Sequence, residues 1–125
     1  MTSPHLCKGE GWRLGWNPAV DFCGMVSGDC WSVELTATEL TGFCQGVRQL
    51  AQTMAAMAEQ VMDQERLSCE RETETIWLEA EGFPTQYSLR FILQNGRRAE
   101  GEWPPAAVPG LVAAISQPPF SQLTG

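Results

Sequence analysis

Residues 9–18, GEGWRLGWNP, allow two interpretations, and the choice between them decides the fold class of the amino-terminal half. The glycines suggest a phosphate-binding loop, but the dinucleotide fingerprint G-x-G-x-x-G needs its third glycine one place before Gly15, with a strand ahead of it and a helix behind. From Trp12 to Trp16 every second residue is instead large and apolar, which is the period of a β-strand with one buried face. An Asn-Pro pair, which is typical of turns, ends the run. We therefore predict a strand here and no phosphate loop.

Two further alternating runs follow, on either side of the segment SGDC. A two-residue type II′ turn with Gly28 at its first central position would pair Val26 with Trp31 and Phe22 with Leu35. All these apolar side chains would then share one face. We therefore predict a β-hairpin in this register.

The segment TATELTGFCQGVRQLAQTMAAMAEQVMDQER, residues 36–66, predicts a long helix. Thr36 with Glu39 three residues later has the spacing of a capping box at the start of a helix. The apolar residues that follow recur with helical spacing and form one wide stripe, which we expect to cover a sheet. The stripe comprises Leu40, Phe43, Cys44, Val47, Leu50, Ala51, Met54, Met57, Ala58 and Val61.

The second half repeats the plan of the first. TETIWLEAEG and TQYSLRFILQNGRRAEGEW supply three more strands, and PGLVAAIS supplies a short helix started by Pro109. At the Asn-Gly turn, a two-residue loop would set Leu93 against Arg98. A three-residue loop sets Leu93 against Ala99 and keeps one face apolar, so we predict the longer loop.

Together these elements predict an α+β fold of two strand-then-helix halves. Each half has three or four antiparallel strands followed by a helix, so that one long and one short helix pack on twisted antiparallel sheet. A chain of 125 residues, 43% hydrophobic and 18% charged, is long enough for one globular domain, residues 1–125. We expect residues 1–9 and 118–125 to be mobile.

The net charge and the cysteine content limit the classes of partner and the cellular location that we expect. A net charge of -7 and a pI near 4.6 repel nucleic acid and anionic membranes at long range. The sequence shows no apolar run that could span a bilayer and no secretory signal, so we expect a cytoplasmic protein without membrane contact. The five cysteines form no C-x-x-C pair, which indicates reduced thiols rather than disulfides or a zinc site.

The sequence offers little for catalysis. The only histidine, His5, and the only lysine, Lys8, lie in the leader, where we expect no fixed base. We therefore predict no enzymatic activity and no cofactor. The glutamates of CERETETIWLEAEG could bind a hard cation, but a charged strand edge that prevents aggregation is the favoured interpretation, and we predict no metal site.

Four arginines are candidates for contact with nucleic acid: Arg13, Arg90, Arg97 and Arg98. Single-strand binders combine such cations with stacking aromatic rings, and five tryptophans are present. The predicted hairpin nevertheless pairs Arg90 with Glu102, a cross-strand contact that needs no ligand. Trp77 is the tryptophan that falls outside the apolar faces, and it is our candidate for protein contact.

Five stretches of this chain resemble a small cyanobacterial family of uncharacterised proteins that carry a domain of unknown function: GEGWRLGW, CWSVELTATEL, LAQTMAAMAEQ, CERETETIWLEAEG and YSLRFILQNGRRAEGEWPPAAVPGL. The resemblance covers nearly the whole chain and consists of aromatic strands and hairpin turns. It implies a fold similar to the single-stranded-DNA-binding transcriptional regulators of the Whirly type. The chain differs from that type in having three clear strands per half rather than four, and it lacks the K-G-K-A strand motif.

These observations favour a non-enzymatic binding module. We expect it to act through contact with another protein or through self-association, using a sheet edge or the exposed side of Trp77. The alternative is a transcription-related protein that binds single-stranded nucleic acid, which the resemblance implies and the net charge opposes.

Overall fold

The computed structural model describes residues 4–60 and 65–123, which form two four-stranded antiparallel sheets with a helix after each. The predicted α+β class and the order of strands then helix, twice, are confirmed, with four strands in each half. The first half contains β1 (His5–Gly9), β2 (Trp12–Trp16), β3 (Gly24–Ser27), β4 (Ser32–Leu35) and α1 (Ala37–Met57). The second half contains β5 (Leu67–Glu72), β6 (Ile76–Phe83), β7 (Gln86–Leu93), β8 (Glu100–Trp103) and α2 (Val108–Ile115).

Sheet 1 has the order β1-β2-β3-β4 and confirms the strand predicted from Trp12 to Trp16. The predicted register of the β3–β4 hairpin is wrong, because Val26 pairs with Val33 rather than with Trp31. Gly28 lacks the positive φ that a type II′ turn requires. Its role is different: the Trp31 indole packs directly on Gly28, where a side chain would collide with the ring.

Helix α1 begins as predicted. The Thr36 hydroxyl accepts a 3.2 Å bond from the Glu39 N–H, and the Glu39 carboxylate accepts a 2.9 Å bond from the Thr36 N–H. The stripe is buried from Leu40 to Met54, apart from Ala51, which is half-buried. The predicted extension to residue 66 is wrong, because the helix ends at Met57. Val61 lies outside the described residues.

Sheet 2 has the order β5-β6-β7-β8. The register predicted at the Asn-Gly turn is confirmed, since the Leu93 N–H donates to the Ala99 carbonyl and Leu89 pairs with Trp103. The acidic run CERETETIWLEAEG, which we interpreted as a charged strand edge, contributes to both strands of the β5–β6 hairpin. The Thr73 hydroxyl makes this turn by accepting bonds from the N–H groups of Thr75 and Ile76.

Four rings from both halves form one aromatic cluster in the core. Ring centroids 5.0 to 5.9 Å apart link Trp31, Phe43, Phe91 and Trp103. The Trp103 indole N–H donates a buried 2.9 Å bond to the Ser27 carbonyl, which ties β8 to β3. The cluster therefore joins the two halves into one core.

Segments near both ends of the described chain contribute contacts to this fold. Strand β1 pairs with β2 along its whole length and forms one edge of sheet 1. At the other end, Phe120 is fully buried, and its ring lies edge-on to His5 at 6.1 Å. β2 and the core thus supply partners that the terminal segments do not carry in their own sequence, and the mobility of residues 1–9 and 118–125 stays a prediction.

No helix in the described part of the chain is both long and apolar enough to cross a membrane.

Candidate interaction surfaces

The outer face of sheet 2 follows directly from the alternation of its strands. Residues such as Leu78 and Phe91 point inward and are buried, so the residues that alternate with them along each strand point outward. This outer face, called here the acidic face, carries Ser68, Glu70, Glu72, Trp77, Glu79, Glu81, Ser88, Arg90, Ile92, Glu100 and Glu102.

Strand pairing arranges the acidic face in rows across the sheet. One row places two apolar side chains between two carboxylates: Glu72, Trp77, Ile92 and Glu100. The neighbouring row contains three carboxylates and one guanidinium: Glu70, Glu79, Arg90 and Glu102. The centre of the face is therefore apolar and its surroundings are negatively charged.

Arg90 links the two rows. Its register partners are Glu102, as predicted, and Glu79, and its ion pair is with Glu79 at 3.7 Å. The Arg90 guanidinium also lies over the Trp77 ring, 5.0 Å from the centroid. This cation–π contact fixes the orientation of a half-exposed indole at the middle of the face. Trp77 is thus outward-facing, as the sequence indicated.

At one end of the acidic face, Arg66 makes a bidentate ion pair with Glu81 and lies over the Phe83 ring at 5.2 Å. Both partners are well exposed, so this pair contributes little to stability. Even with Arg66 and Arg90 counted, glutamates outnumber arginines on this face. The face is therefore a region of negative potential, not a site for phosphates.

Arg97 makes intramolecular contacts that its sequence did not indicate. Its Nε donates to Glu39 Oε2 at 2.8 Å, and its Nη2 donates to the Glu34 carbonyl at 2.7 Å. Burial favours the protonated carboxyl of Glu39, but hydrogen bonds from Arg97 and Thr36 and the Arg97 charge outweigh it and lower the Glu39 pKa. Arg97 therefore completes the capping of α1 from the other half of the chain.

The structure does not bring the four candidate arginines together. Arg90 lies among glutamates on the acidic face, and Arg97 is engaged by Glu39. Arg98 is exposed in the loop between β7 and β8, where its φ is 55°. Arg13 lies on the outer face of sheet 1. These positions supply no common basic groove.

The outer face of sheet 1 holds features that sequence reasoning missed. Leu6, Val20 and Phe22 are 60%, 51% and 44% exposed, and all three line one groove of about 500 Å³. Leu6 lies in the leader, and Phe22 was assigned to a buried strand face. Exposed Leu6 and Phe22 next to a turn carry no sequence signal that distinguishes them from core residues.

Chemically reactive groups are few in the described residues. They contain no cluster of three or more His, Cys, Asp or Glu side chains that could hold a metal ion. The five cysteines are free thiols. Burial raises the pKa of the Cys44 thiol to about 12, against a small opposing effect of the Arg48 charge, so this thiol is not a nucleophile at neutral pH.

The two antiparallel sheets, their helices and the shared aromatic cluster define a small α+β protein. The chain belongs to the family called Domain of unknown function (DUF1818), whose model matches residues 7–117. The chain is also similar to a crystal structure at 1.80 Å of a protein with unknown function from the DUF155 family of Prochlorococcus sp. NATL2A. The two share 27% sequence identity with a TM-score of 0.83, over 89% of this chain and 95% of that one. No protein with a curated description matches.

These comparisons confirm an uncharacterised family with a cyanobacterial relative. The resemblance to Whirly regulators stays a prediction.

Proposed function

We propose that this protein is a non-enzymatic binding module that holds a basic segment of another protein on its acidic face. The observation that carries the proposal is the row in which Trp77 and Ile92 lie between Glu72 and Glu100. Protein interfaces combine an apolar, often aromatic centre with a polar rim. This row has that composition on an open sheet surface.

Charge complementarity supports a basic partner. The second row, with three glutamates around Arg90, leaves a surplus of negative charge beside the apolar centre. A segment with lysine or arginine side chains on either side of an apolar residue would match both rows. Arg90 orients Trp77 before binding, which reduces the ordering that association requires.

The free thiols and the absence of a membrane-spanning helix in the described residues agree with a partner in the cytoplasm. We therefore propose the cytoplasm as the location of this contact.

The test is a titration with an arginine- and lysine-rich peptide containing one leucine, followed by tryptophan fluorescence. We expect binding to the wild-type protein and loss of binding in Glu70→Lys with Glu102→Lys. The matched control is Glu10→Lys with Glu59→Lys, which changes the net charge equally at exposed positions elsewhere. Equal losses in both double variants would reduce the effect to net charge and overturn the proposal.

Capture from cyanobacterial extract can then identify the partner. A protein retained by the wild type and by the Glu10/Glu59 control, but not by the acidic-face variant, would be the expected result. Partners that bind all three proteins equally would count against this face.

Self-association is a second candidate, favoured by a separate observation. Strand β1 is an edge of sheet 1, and exposed Leu6 places apolar groove surface next to that open edge. Antiparallel pairing of β1 with β1 of a second copy would satisfy the free backbone groups of both. Sedimentation over a range of concentrations should then show a dimer that Leu6→Asp disrupts, and a monomer at all concentrations would exclude it.

Single-stranded nucleic acid ranks below protein as a partner. The Whirly resemblance supports it, but the four candidate arginines are dispersed and two of them contact glutamates. We expect dissociation constants of roughly tens of micromolar or weaker at physiological salt, with the shallow salt dependence of at most two or three phosphates. Tight, steeply salt-dependent binding of an oligonucleotide would reverse this ranking.

A further inference from the structure

We propose that a cavity on sheet 1 binds a small organic anion, namely a carboxylate or phosphate group carried on a planar body. The cavity has a volume of about 470 Å³ and lies between the β1–β2 and β3–β4 turns. Its lining includes Arg13, Ser27, Ser32, Asp29 and Trp31. Small-molecule sites typically have volumes of roughly 300 to 1,000 Å³, so the cavity is of a suitable size. The site is separate from the acidic face.

The first argument comes from Ser27. This residue is only 5% exposed, and its hydroxyl has no hydrogen-bond partner in the described part of the chain. Val26 points into the core, so the pleat directs Ser27 to the opposite face, where its cross-strand partners Arg13 and Ser32 also line the cavity. Buried hydroxyls are almost always hydrogen-bonded, and an unsatisfied one destabilises the fold. A ligand oxygen in the cavity would supply the missing partner.

The second argument comes from two cations. Lys8 and Arg13 are cross-strand partners, and like charges directly opposite each other are destabilising. In the described residues, no carboxylate lies within 4.0 Å of the charged group of Lys8 or Arg13. Asp29 also lines the cavity, but it makes no ion pair with Arg13. An anion beside Arg13 would relieve the repulsion, and a guanidinium binds planar oxyanions in bidentate geometry.

The third argument comes from Trp31. It is the half-buried member of the aromatic cluster, and it also lines the cavity. Its contacts with Phe91 and Trp103, at centroid distances of 5.7 and 5.0 Å, fix its position. The ring therefore provides a rigid wall against which a planar ligand body can pack.

The test uses phenyl phosphate and benzoate as probes, with neutral benzyl alcohol as the uncharged control, and follows amide chemical shifts and tryptophan fluorescence. We expect saturable binding of one or both anions, with shift changes at residues 27–32. Arg13→Gln and Ser27→Ala should each weaken binding about tenfold or more, because each removes a hydrogen bond to a charged group. Arg98→Gln and Ser116→Ala are the matched controls, because both residues are exposed and neither lines the cavity.

Stability measurements provide an independent readout. The free Ser27→Ala protein should melt at the same temperature as the wild type or higher, because it no longer buries an unpaired hydroxyl. A lower melting temperature would show that the hydroxyl already has a partner and would overturn the proposal. Equal affinity for benzyl alcohol, unchanged binding in Arg13→Gln and Ser27→Ala, or no saturable binding of either anion would also overturn it. The stronger of the two anions identifies the carboxylate or phosphate nature of the ligand.

Discussion

Arg97→Ala should destabilise the protein far more than a surface substitution does. In the folded chain the Arg97 guanidinium donates two bonds to Glu39, at 2.8 and 3.1 Å, and a third to the Glu34 carbonyl. The Glu39 side chain is only 6% exposed with Arg97 in place, so removing Arg97 takes away the charge partner of a largely buried carboxylate. The guanidinium also lies 5.0 Å from the Phe22 ring centroid.

The magnitude follows from these contacts. Hydrogen bonds to charged groups contribute about 1.5 to 3 kcal/mol each in net terms, and partial exposure of Arg97 places them at the lower end. Bonds that share one guanidinium are not additive, and removing one partner of a buried ion pair costs about 3 to 5 kcal/mol in total, so we expect a loss of about 3 kcal/mol. Domains of this size are stable by roughly 5 to 15 kcal/mol, and each kcal/mol shifts the midpoint of thermal unfolding by about 3 to 5 °C. The variant should therefore melt roughly 9 to 15 °C lower.

The effect should depend on pH in a defined direction. The net pKa of Glu39 is lowered in the folded protein, because the bonds and charge of Arg97 and the bonds of Thr36 exceed the opposing effect of burial. A lowered carboxyl pKa contributes stability above the unfolded value, about 4.3, and that stability is lost as pH falls through the folded value. The difference between wild type and Arg97→Ala should be full near pH 7 and should shrink below about pH 4.

The assay is urea unfolding of both proteins at pH 7 and at pH 3. The control is Arg98→Ala, since this exposed neighbour makes no hydrogen bond or ion pair in the described part of the chain, and we expect it to change stability by less than about 0.5 kcal/mol. Equal stabilities of Arg97→Ala and Arg98→Ala at pH 7 would refute the reasoning. A difference that persists undiminished at pH 3 would refute the assignment of the effect to Glu39.

Three further predictions concern the core. Leu50→Asp on the buried stripe of α1 should abolish cooperative unfolding, because an unpaired buried charge costs several kcal/mol; a normal melting curve would remove the stripe from the core. Gly101→Ala should strongly destabilise the protein, because the added Cβ would lie 2.7 Å from a carbon of the aromatic cluster. Gly96→Ala would place its Cβ in open space, but the backbone φ of 78° disfavours a side chain, so this variant should lose about 1 kcal/mol of stability in the same denaturant assay. In a thiol-reagent assay at pH 8, exposed Cys30 should react quickly and Cys44 only after unfolding, and rapid native-state labelling of Cys44 would contradict its raised pKa of about 12.

The parts of the fold that could be predicted have local signals. The capping box of Thr36 and Glu39 lies within four consecutive residues, and the apolar stripe of α1 repeats with a fixed period. The Asn-Gly hairpin was assigned correctly because only one register keeps Leu93 and its neighbours on an apolar face. Trp77 was recognised as outward-facing from the same alternation.

The parts that were missed depend on contacts between distant segments. Gly28 was taken for a turn glycine, whereas its lack of a side chain serves the Trp31 indole. Strand β1 has a weak pattern of its own and is ordered by pairing with β2. Arg97 was a candidate for nucleic acid because its carboxylate partner, Glu39, lies 58 residues away. No local pattern identifies a pair that only the tertiary structure brings together.

The aromatic cluster has a consequence for how this chain can be divided. Although the order of elements repeats, Trp31 and Phe43 come from the first half and Phe91 and Trp103 from the second. A fragment carrying either half alone would expose two large rings and leave the Ser27–Trp103 bond unmade. The repeat is therefore one of pattern and not of autonomous units: we expect neither half to fold as a separate module unless the other half is present in the same chain or supplied with it.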